Sequence, residues 1–268
     1  MQLLEVPPKS GYVWLRQGLW LFRRNPLAIL TLLFAYLFGI LLLSVLPIVG
    51  AFLPLVFMPG LSVGFMAACR DAIQKKPIFP NVLLDGFRNH GNVVARRLLV
   101  LGGYYAAAMA LVFVFSALFD GGDLLRLMIF GGRPDDETFA GPMGGAMLAT
   151  AIAYVPVALL FWFAPVLVAW HEITPAKAMF FSWTACVRNG RAFIVYGVLT
   201  GVIATLVPML IALIMLLLGL GKFLAIVLMP FSILFTAVLY CSFYASYRGC
   251  FGVQEIGAID PNVAPPNT

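Results

Sequence analysis

Long apolar runs separated by short polar connections dominate this chain of 268 residues. Each run has about 20 residues, the length that an α-helix needs to cross a hydrocarbon core of about 30 Å. The runs fall near residues 27–46, 51–69, 98–119, 144–170, 193–218 and 223–247. Lipid offers no hydrogen-bond partners, and the runs lack the strict alternation of barrel strands. We therefore predict an all-α fold, a polytopic bundle of six transmembrane helices.

The polar connections follow a pattern that returns three times. An amphipathic stretch ending in Arg-Asn precedes two apolar runs, and the second of these runs carries a proline. The Arg-Asn pairs are Arg24-Asn25, Arg88-Asn89 and Arg188-Asn189, and the prolines are Pro59, Pro165 and Pro230. This repetition predicts three pseudo-repeats, near residues 11–76, 77–173 and 174–250, within one membrane domain over residues 1–250. A loop over 120–143 and a tail over 251–268 complete the expected organisation.

Each pseudo-repeat is expected to open with an interfacial amphipathic helix that leads into a helical hairpin. The first runs from Ser10 to Arg24, and the third opens at Thr174-Pro175, a capping residue followed by proline. The second opens at Pro80-Asn81 and is predicted to place five polar residues on one stripe. These five are Asp85, Arg88, Asn89, Asn92 and Arg96. Such helices either lie in the headgroup region with their apolar faces down or pack together as a cytoplasmic collar around the bundle.

The basic residues predict the orientation, because Lys and Arg are retained on the cytoplasmic side. If the N-terminus is inside, only Arg126, Arg133 and Lys222 lie outside, which leaves 14 of the 17 basic residues on the inner side. Both termini are thus predicted to be cytoplasmic. This basic face would attract anionic lipid headgroups. The candidate headgroup contacts are Arg23, Arg24, Arg88, Arg96, Arg97, Arg188 and Arg191.

The composition supports the membrane assignment and excludes other classes. Hydrophobic residues make up 62% of the chain and charged residues only 10%, against about 25% in soluble domains. The sequence pI is about 9.3, but the basic residues stand at the ends of the apolar runs and form no separate basic domain. We therefore expect no binding to nucleic acid.

The three repeated prolines lie within apolar runs, where a proline removes an intrahelical hydrogen bond and bends the helix. Neighbouring helices can restore the lost contacts, in which case Pro59, Pro165 and Pro230 only shape the bundle. Alternatively, three related kinks open a shared central cavity or act as hinges. Both interpretations remain open at this stage.

The apolar runs contain few side chains that could act in catalysis, ion transport or metal binding. No ionisable side chain falls near the middle of any of them, which disfavours proton-driven or sodium-driven transport but leaves lipid movement through a groove open. His171-Glu172 is the one adjacent acid and base pair, and neighbours on a helix point about 100° apart. The four cysteines match no metal-binding spacing and are expected to be buried thiols. They are Cys69, Cys186, Cys241 and Cys250. We predict no catalytic, cofactor or metal site.

Two short elements carry a family resemblance. The segment from Trp14 to Pro26 and the segment from Ser182 to Asn189 resemble a group of uncharacterised proteobacterial six-helix inner-membrane proteins. That group is similar in pattern to the membrane domain of some glycerophosphodiester phosphodiesterases, and the resemblance covers most of residues 12–250. It implies an inner-membrane helical domain without its own catalytic apparatus. The predicted orientation separately makes the loop over 120–143 periplasmic. No phosphodiesterase domain accompanies it in this sequence, so that activity is not expected.

The leading hypothesis is a non-enzymatic inner-membrane protein that acts as a lipid-interacting or scaffold component of the cell envelope. Its expected partners are membrane lipids, anionic ones in particular, and a protein partner or a second copy of the chain. The alternative is a transporter or lipid flippase with a central hydrophobic cavity. A third hypothesis, an enzyme using His171 and Glu172, has the least support.

Overall fold

The computed structural model describes residues 3–46, 50, 52–123, 126 and 142–252. All regular structure in these residues is helical, which confirms the all-α prediction. The α-helices are α1 (Ser10–Arg24), α2 (Pro26–Ser44), α3 (Leu53–Ile73), α4 (Asp85–Arg88), α5 (Gly91–Asp120), α6 (Pro142–Phe161), α7 (Ala164–His171), α8 (Pro175–Arg188), α9 (Gly190–Leu217) and α10 (Leu224–Phe251). Most of the predicted loop and nearly all of the predicted tail lie outside the described residues.

Six helical segments in the described residues are long and apolar enough to cross a membrane. They are Pro26–Ser44, Leu53–Ile73, Gly91–Asp120, Gly144–His171, Gly190–Leu217 and Gly221–Phe251. The third begins at Gly91, earlier than the predicted residue 98, and therefore includes Arg96 and Arg97 in its first turns. Long basic side chains near a helix end can extend to the interface, so these charges are compatible with a spanning helix.

The fourth span is interrupted, and this changes the interpretation of its proline. α6 ends at Phe161, α7 begins at Ala164, and Pro165 stands in the first turn of α7. Pro165 does lie within its span, as predicted, but a proline in the first turn of a helix removes no intrahelical hydrogen bond, so the expected loss of such a bond does not occur there. Pro59 and Pro230 do lie inside α3 and α10.

The predicted second amphipathic helix is also wrong as a continuous helix. A 3₁₀-helix over Pro80–Leu84 is followed by the single turn α4, and a new helix begins at Gly91, whose φ is +80°. A positive φ suits glycine and interrupts α-helical geometry. The expected polar stripe is consequently divided between α4 and α5.

Two compact units divide the described chain. One comprises residues 3–37, 64–83 and 185–252, and the other comprises residues 38–46, 50, 52–63, 84–123, 126 and 142–184. We call them the first and the second unit.

In the first unit, α1 packs on α9 and α10, and Trp14 is fully buried with its ring 5.2 Å from that of Phe193. Gly18 permits this approach, because a Cβ there would lie 2.7 Å from the Cβ of Ser242. The buried face of α1 meets protein, as the collar alternative requires.

An aromatic cluster joins three spans of the first unit. The ring of Tyr36 on α2 lies 5.4 Å from that of Phe65 on α3 and 5.9 Å from that of Tyr240 on α10. Phe65 and Tyr240 stack at 4.1 Å. Aromatic pairs at such separations add to the packing energy of the helices that carry them, and they fix the register of α2 against α3.

In the second unit, Gly60 and Ser182 allow the segments that precede the spans to pack against them. The ring of Phe87 lies against Gly60 of α3, where a Cβ could not fit. Ser182 of α8 is fully buried, accepts a hydrogen bond from the Phe163 N–H at 2.9 Å and donates one to the Leu159 carbonyl at 2.8 Å. Ser182 thereby satisfies backbone groups that the break after α6 releases.

The opposite face of α8 is open. Its apolar side chains Phe180, Trp183 and Val187 are all exposed. An apolar helix face that meets no protein suits a helix lying on lipid. The structure thus shows protein packing for α1, while lipid contact by α8 stays a prediction.

Candidate functional site

The three Arg-Asn pairs stand at helix junctions, which we call the first, second and third corners. The first corner is Arg24-Asn25, between α1 and α2. α1 ends here because Pro26 follows, and the residue before a proline is disfavoured in helical geometry. Asn25 has a φ of −147° and a ψ of 64°, and its carbonyl accepts a bond from the Ile29 N–H at 3.2 Å to start the next helix.

A basic cleft of about 350 Å³ opens beside the first corner. It is lined by Arg24, Asn25, Ala72, Lys75 and Lys76. Among these described lining residues three are cationic and none is acidic. The guanidinium of Arg24 lies 4.2 Å above the ring of Trp20, a cation–π contact that limits its movement.

The end of α3 positions the two lysines of the basic cleft. Lys75 has a φ of 55°, in the left-handed region, and the Lys76 N–H donates to the Asp71 carbonyl at 2.9 Å. Such a turn caps the free carbonyls at a helix C-terminus. The carboxylate of Asp71, the acid nearest in sequence, lies 3.5 Å from the Nε of Arg70. The described lining of the cleft therefore carries three positive charges and no carboxylate.

The third corner is closed by the chain itself. Asn189 is 2% exposed, and its side chain accepts a bond from the Val6 N–H at 2.8 Å while donating to the Leu4 carbonyl at 3.0 Å. The Leu4 N–H donates in turn to the Cys250 carbonyl at 2.8 Å. Residues 4–6, which we call the N-terminal strap, are thus fixed between the start of α9 and the end of α10.

The strap also supplies an anion at the third corner. Arg188 donates from Nε to Oε1 of Glu5 at 2.6 Å, although both side chains remain more than half exposed. Charge-assisted bonds of this length are common between guanidinium and carboxylate groups. Arg188, predicted as a headgroup contact, is therefore paired within the protein.

The second corner contains a compact polar cluster. Asp85 is 4% exposed, accepts a bond from the side chain of Asn89 at 2.7 Å and lies 3.0 Å from Nε2 of His90. A buried carboxylate needs such partners, because its desolvation is otherwise costly. This cluster connects α4 to the start of α5. The sequence analysis missed it and assigned Asp85 and Asn89 to the polar stripe of one amphipathic helix.

The remaining predicted headgroup contacts are distributed along the chain and form no single cluster in either unit. Arg23, Arg88, Arg96 and Arg191 are exposed. Arg97 is half-buried and donates to the carbonyl oxygen of Glu172. Whether any of them contacts lipid stays a prediction.

The three repeated prolines have different surroundings. Pro59 and Pro165 are buried in the second unit, whereas Pro230 is exposed in the first. The prediction of a cavity shared by all three remains untested.

The cysteines are free and buried, as predicted. The thiols of Cys69 on α3 and Cys241 on α10 are close enough to hydrogen-bond. Across the described residues, no group of three or more His, Cys, Asp or Glu side chains could hold a metal ion.

The basic cleft could have been found from the sequence. Lys75-Lys76 follows the end of the second apolar run by a few residues, and Arg24-Asn25 closely precedes the first run, so a hairpin brings them together. The pairing of Asn189 with the strap could not, since it joins residues 183 apart in the chain.

Comparison with known proteins identifies a close relative. A probable inner membrane protein of Burkholderia thailandensis is 55% identical over 262 residues, which cover 96% of this chain and 97% of that protein. The chain belongs to this inner-membrane protein family. No protein-family model and no solved structure matches the chain. The predicted inner-membrane family is confirmed, while the similarity to a phosphodiesterase membrane domain stays a prediction.

Proposed function

We propose that this protein is a non-enzymatic component of the bacterial inner membrane that interacts with anionic lipid. The observation that carries the proposal is the basic cleft, in which Arg24, Lys75 and Lys76 surround one opening at the mouth of the hairpin formed by α2 and α3. Clusters of basic residues next to a span attract anionic headgroups at about 1 kcal/mol per residue.

The exposed face of α8 supports the same proposal. Its aromatic and aliphatic side chains would enter the acyl boundary, and the exposed Arg191 would then lie at the headgroup level. We further propose that both termini face the cytoplasm, because 14 of the 17 basic residues then lie on that side. The similarity to a phosphodiesterase membrane domain would make this a membrane domain that positions a partner protein at the lipid surface.

A scaffold role would add a protein partner or a second copy to the same surface. A transporter or flippase is the second candidate, and the interrupted fourth span is the observation in its favour, because broken helices line substrate sites in transporters. We rank it lower, since Ser182 already occupies the break and bonds its backbone.

Native mass spectrometry of the full chain, released gently from its own membrane, tests these alternatives together. Retention of anionic lipid in fixed stoichiometry is the expected result. Retention of a protein partner with only exchangeable lipid would replace lipid interaction by a scaffold role. Release of a bare chain, with neither lipid nor partner, would contradict the proposal.

A further inference from the structure

The basic cleft concentrates positive charge to a degree that calls for a counter-charge. Arg24, Lys75 and Lys76 line one opening of about 350 Å³, near the lower end of the range of about 300–1,000 Å³ usual for ligand sites. Like charges that line one small opening repel one another, and the repulsion is stronger near a membrane than in bulk water. An anion bound in the cleft would offset this electrostatic repulsion.

The chemistry of the lining suits a phosphate group. Arg24 presents a planar set of donors held by Trp20, an arrangement pre-organised for bidentate bonds to phosphate oxygens. Lys75 and Lys76 add two ammonium groups, and the side-chain amide of Asn25 adds two further donors.

The register of the first hairpin places the cleft at headgroup level. α2 begins beside the cleft at Pro26, and α3 ends beside it at Ile73. At a rise of 1.5 Å per residue, Tyr36 lies about 15 Å along α2 from Pro26, and Phe65 lies about 12 Å along α3 from Ile73. α2 is apolar from this contact to Pro26, and α3 is apolar from it to Cys69, after which Arg70 and Asp71 begin its polar end. We therefore place the opening where the hydrocarbon region gives way to phosphates.

The third corner shows how the protein treats the same dipeptide when an anion is present. There Glu5 of the chain lies 2.6 Å from Arg188. At the first corner the described lining contains no carboxylate, and two lysines stand in its place.

We infer that the basic cleft binds a phosphate-bearing anion, supplied by the headgroup of an anionic phospholipid or by free phosphate. This inference rests on the proposed function and narrows it to one site and one chemical group.

The test uses the purified full chain in a neutral detergent, with binding followed by native mass spectrometry. The probe is dioctanoyl phosphatidylglycerol, and dioctanoylglycerol, which lacks the phosphate, is the matched lipid. The cleft variant is Lys75→Gln with Lys76→Gln. The control variant is Lys9→Gln with Lys222→Gln, which removes equal charge. Lys9 begins the turn that enters α1, about 22 Å from Arg24 along the helix. Lys222 lies just before the start of α10, at the end of that helix farther from Tyr240.

The cleft variant is expected to bind dioctanoyl phosphatidylglycerol about thirty-fold more weakly, because two unit charges about 8 Å from a monoanion are lost in a medium of dielectric about 40. The control variant should bind like the wild type, and both should melt at the wild-type temperature. Competition by inorganic phosphate would identify free phosphate as a sufficient ligand. Failure of phosphate to compete, with the variant effect intact, would identify the lipid headgroup as the source.

Three results would overturn the inference: equal binding by wild type and cleft variant, equal weakening in the control variant, or binding of dioctanoylglycerol as tight as that of the phospholipid. If the wild type retains anionic lipid and the cleft variant retains as much, only the cleft assignment fails. If the wild type binds no lipid at all, the proposed function fails with it.

Discussion

The first and third corners have the same two residues and opposite surroundings. At the third corner, Asn189 is buried and bonded to the N-terminal strap, and Arg188 is paired with Glu5. At the first corner, Asn25 is half-buried and lines an open cleft with Arg24 and two lysines. The dipeptide ends one helix and starts the next in both places. What differs is the segment beside it.

The comparison shows how one local motif can serve stability in one place and binding in another. An asparagine side chain has two donors and an acceptor, and either backbone or a ligand can use them. The strap uses them at Asn189. At Asn25 they face a cleft that a phosphate group would fit.

The largest expected effect comes from removing the amide at the third corner. In Asn189→Ala, the Val6 N–H and the Leu4 carbonyl lose their partner, and unsatisfied buried groups cost about 1–3 kcal/mol each. We expect the free energy of unfolding, measured by denaturant titration in mixed micelles, to fall by about 3 kcal/mol. Asn25→Ala is the matched control and should cost less than about 1 kcal/mol. Equal losses in the two variants would remove the distinction between the corners.

Charge reversal in the cleft is the next largest effect. Lys76→Glu supplies the first corner with a carboxylate, as Glu5 does at the third. A two-unit change about 8 Å from the anion should weaken binding of dioctanoyl phosphatidylglycerol about thirty-fold, against about five-fold for Lys76→Gln. Lys9→Glu is the control and should leave affinity unchanged. If reversal and neutralisation weakened binding equally, charge would not be what the cleft recognises.

Removing the buried carboxylate at the second corner is expected to lower the free energy of unfolding by an intermediate amount. Asp85→Ala should lower the free energy of unfolding by about 2 kcal/mol, because the side chains of Asn89 and His90 lose a buried acceptor. Asp123→Ala, which removes an exposed carboxylate 3.8 Å from Arg126, should cost less than about 0.5 kcal/mol. A double-mutant cycle of Asp85→Ala with His90→Ala is expected to show coupling. Additive losses would mean that the two side chains act independently.

The smallest expected effect separates the charge of the strap from its backbone bonds. Glu5→Gln removes the ion pair with Arg188 but leaves the bonds of Asn189 in place. Exposed pairs contribute about 0.2–1 kcal/mol, so the loss should be about 0.5 kcal/mol and should shrink as salt is added. A loss as large as that of Asn189→Ala, shrinking as salt is added, would show that the ion pair, and not the amide, holds the strap.

Much of the fold could be predicted from the sequence, and the failures have local physical causes. The interruption before Pro165 was missed, because hydropathy does not distinguish a continuous span from one whose freed backbone groups Ser182 satisfies. The second amphipathic helix was predicted as continuous, because the regular spacing of its polar residues was given more weight than Gly91. The positive φ of Gly91 interrupts the helix. The site was predicted only in part, since Arg24 was identified and Lys75, Lys76 and Asn25 were not.

The sequence by itself determined the membrane class, the six spans and the position of each Arg-Asn pair just before a span. These properties depend on runs of about 20 residues whose transfer into lipid is favourable whatever their neighbours. Tertiary structure alone decided that α1 packs on protein, that Asn189 is buried and that Asn25 lines a cleft. Those outcomes depend on contacts between distant segments, such as the strap and α9, 183 residues apart, and no local pattern records which pairs will meet.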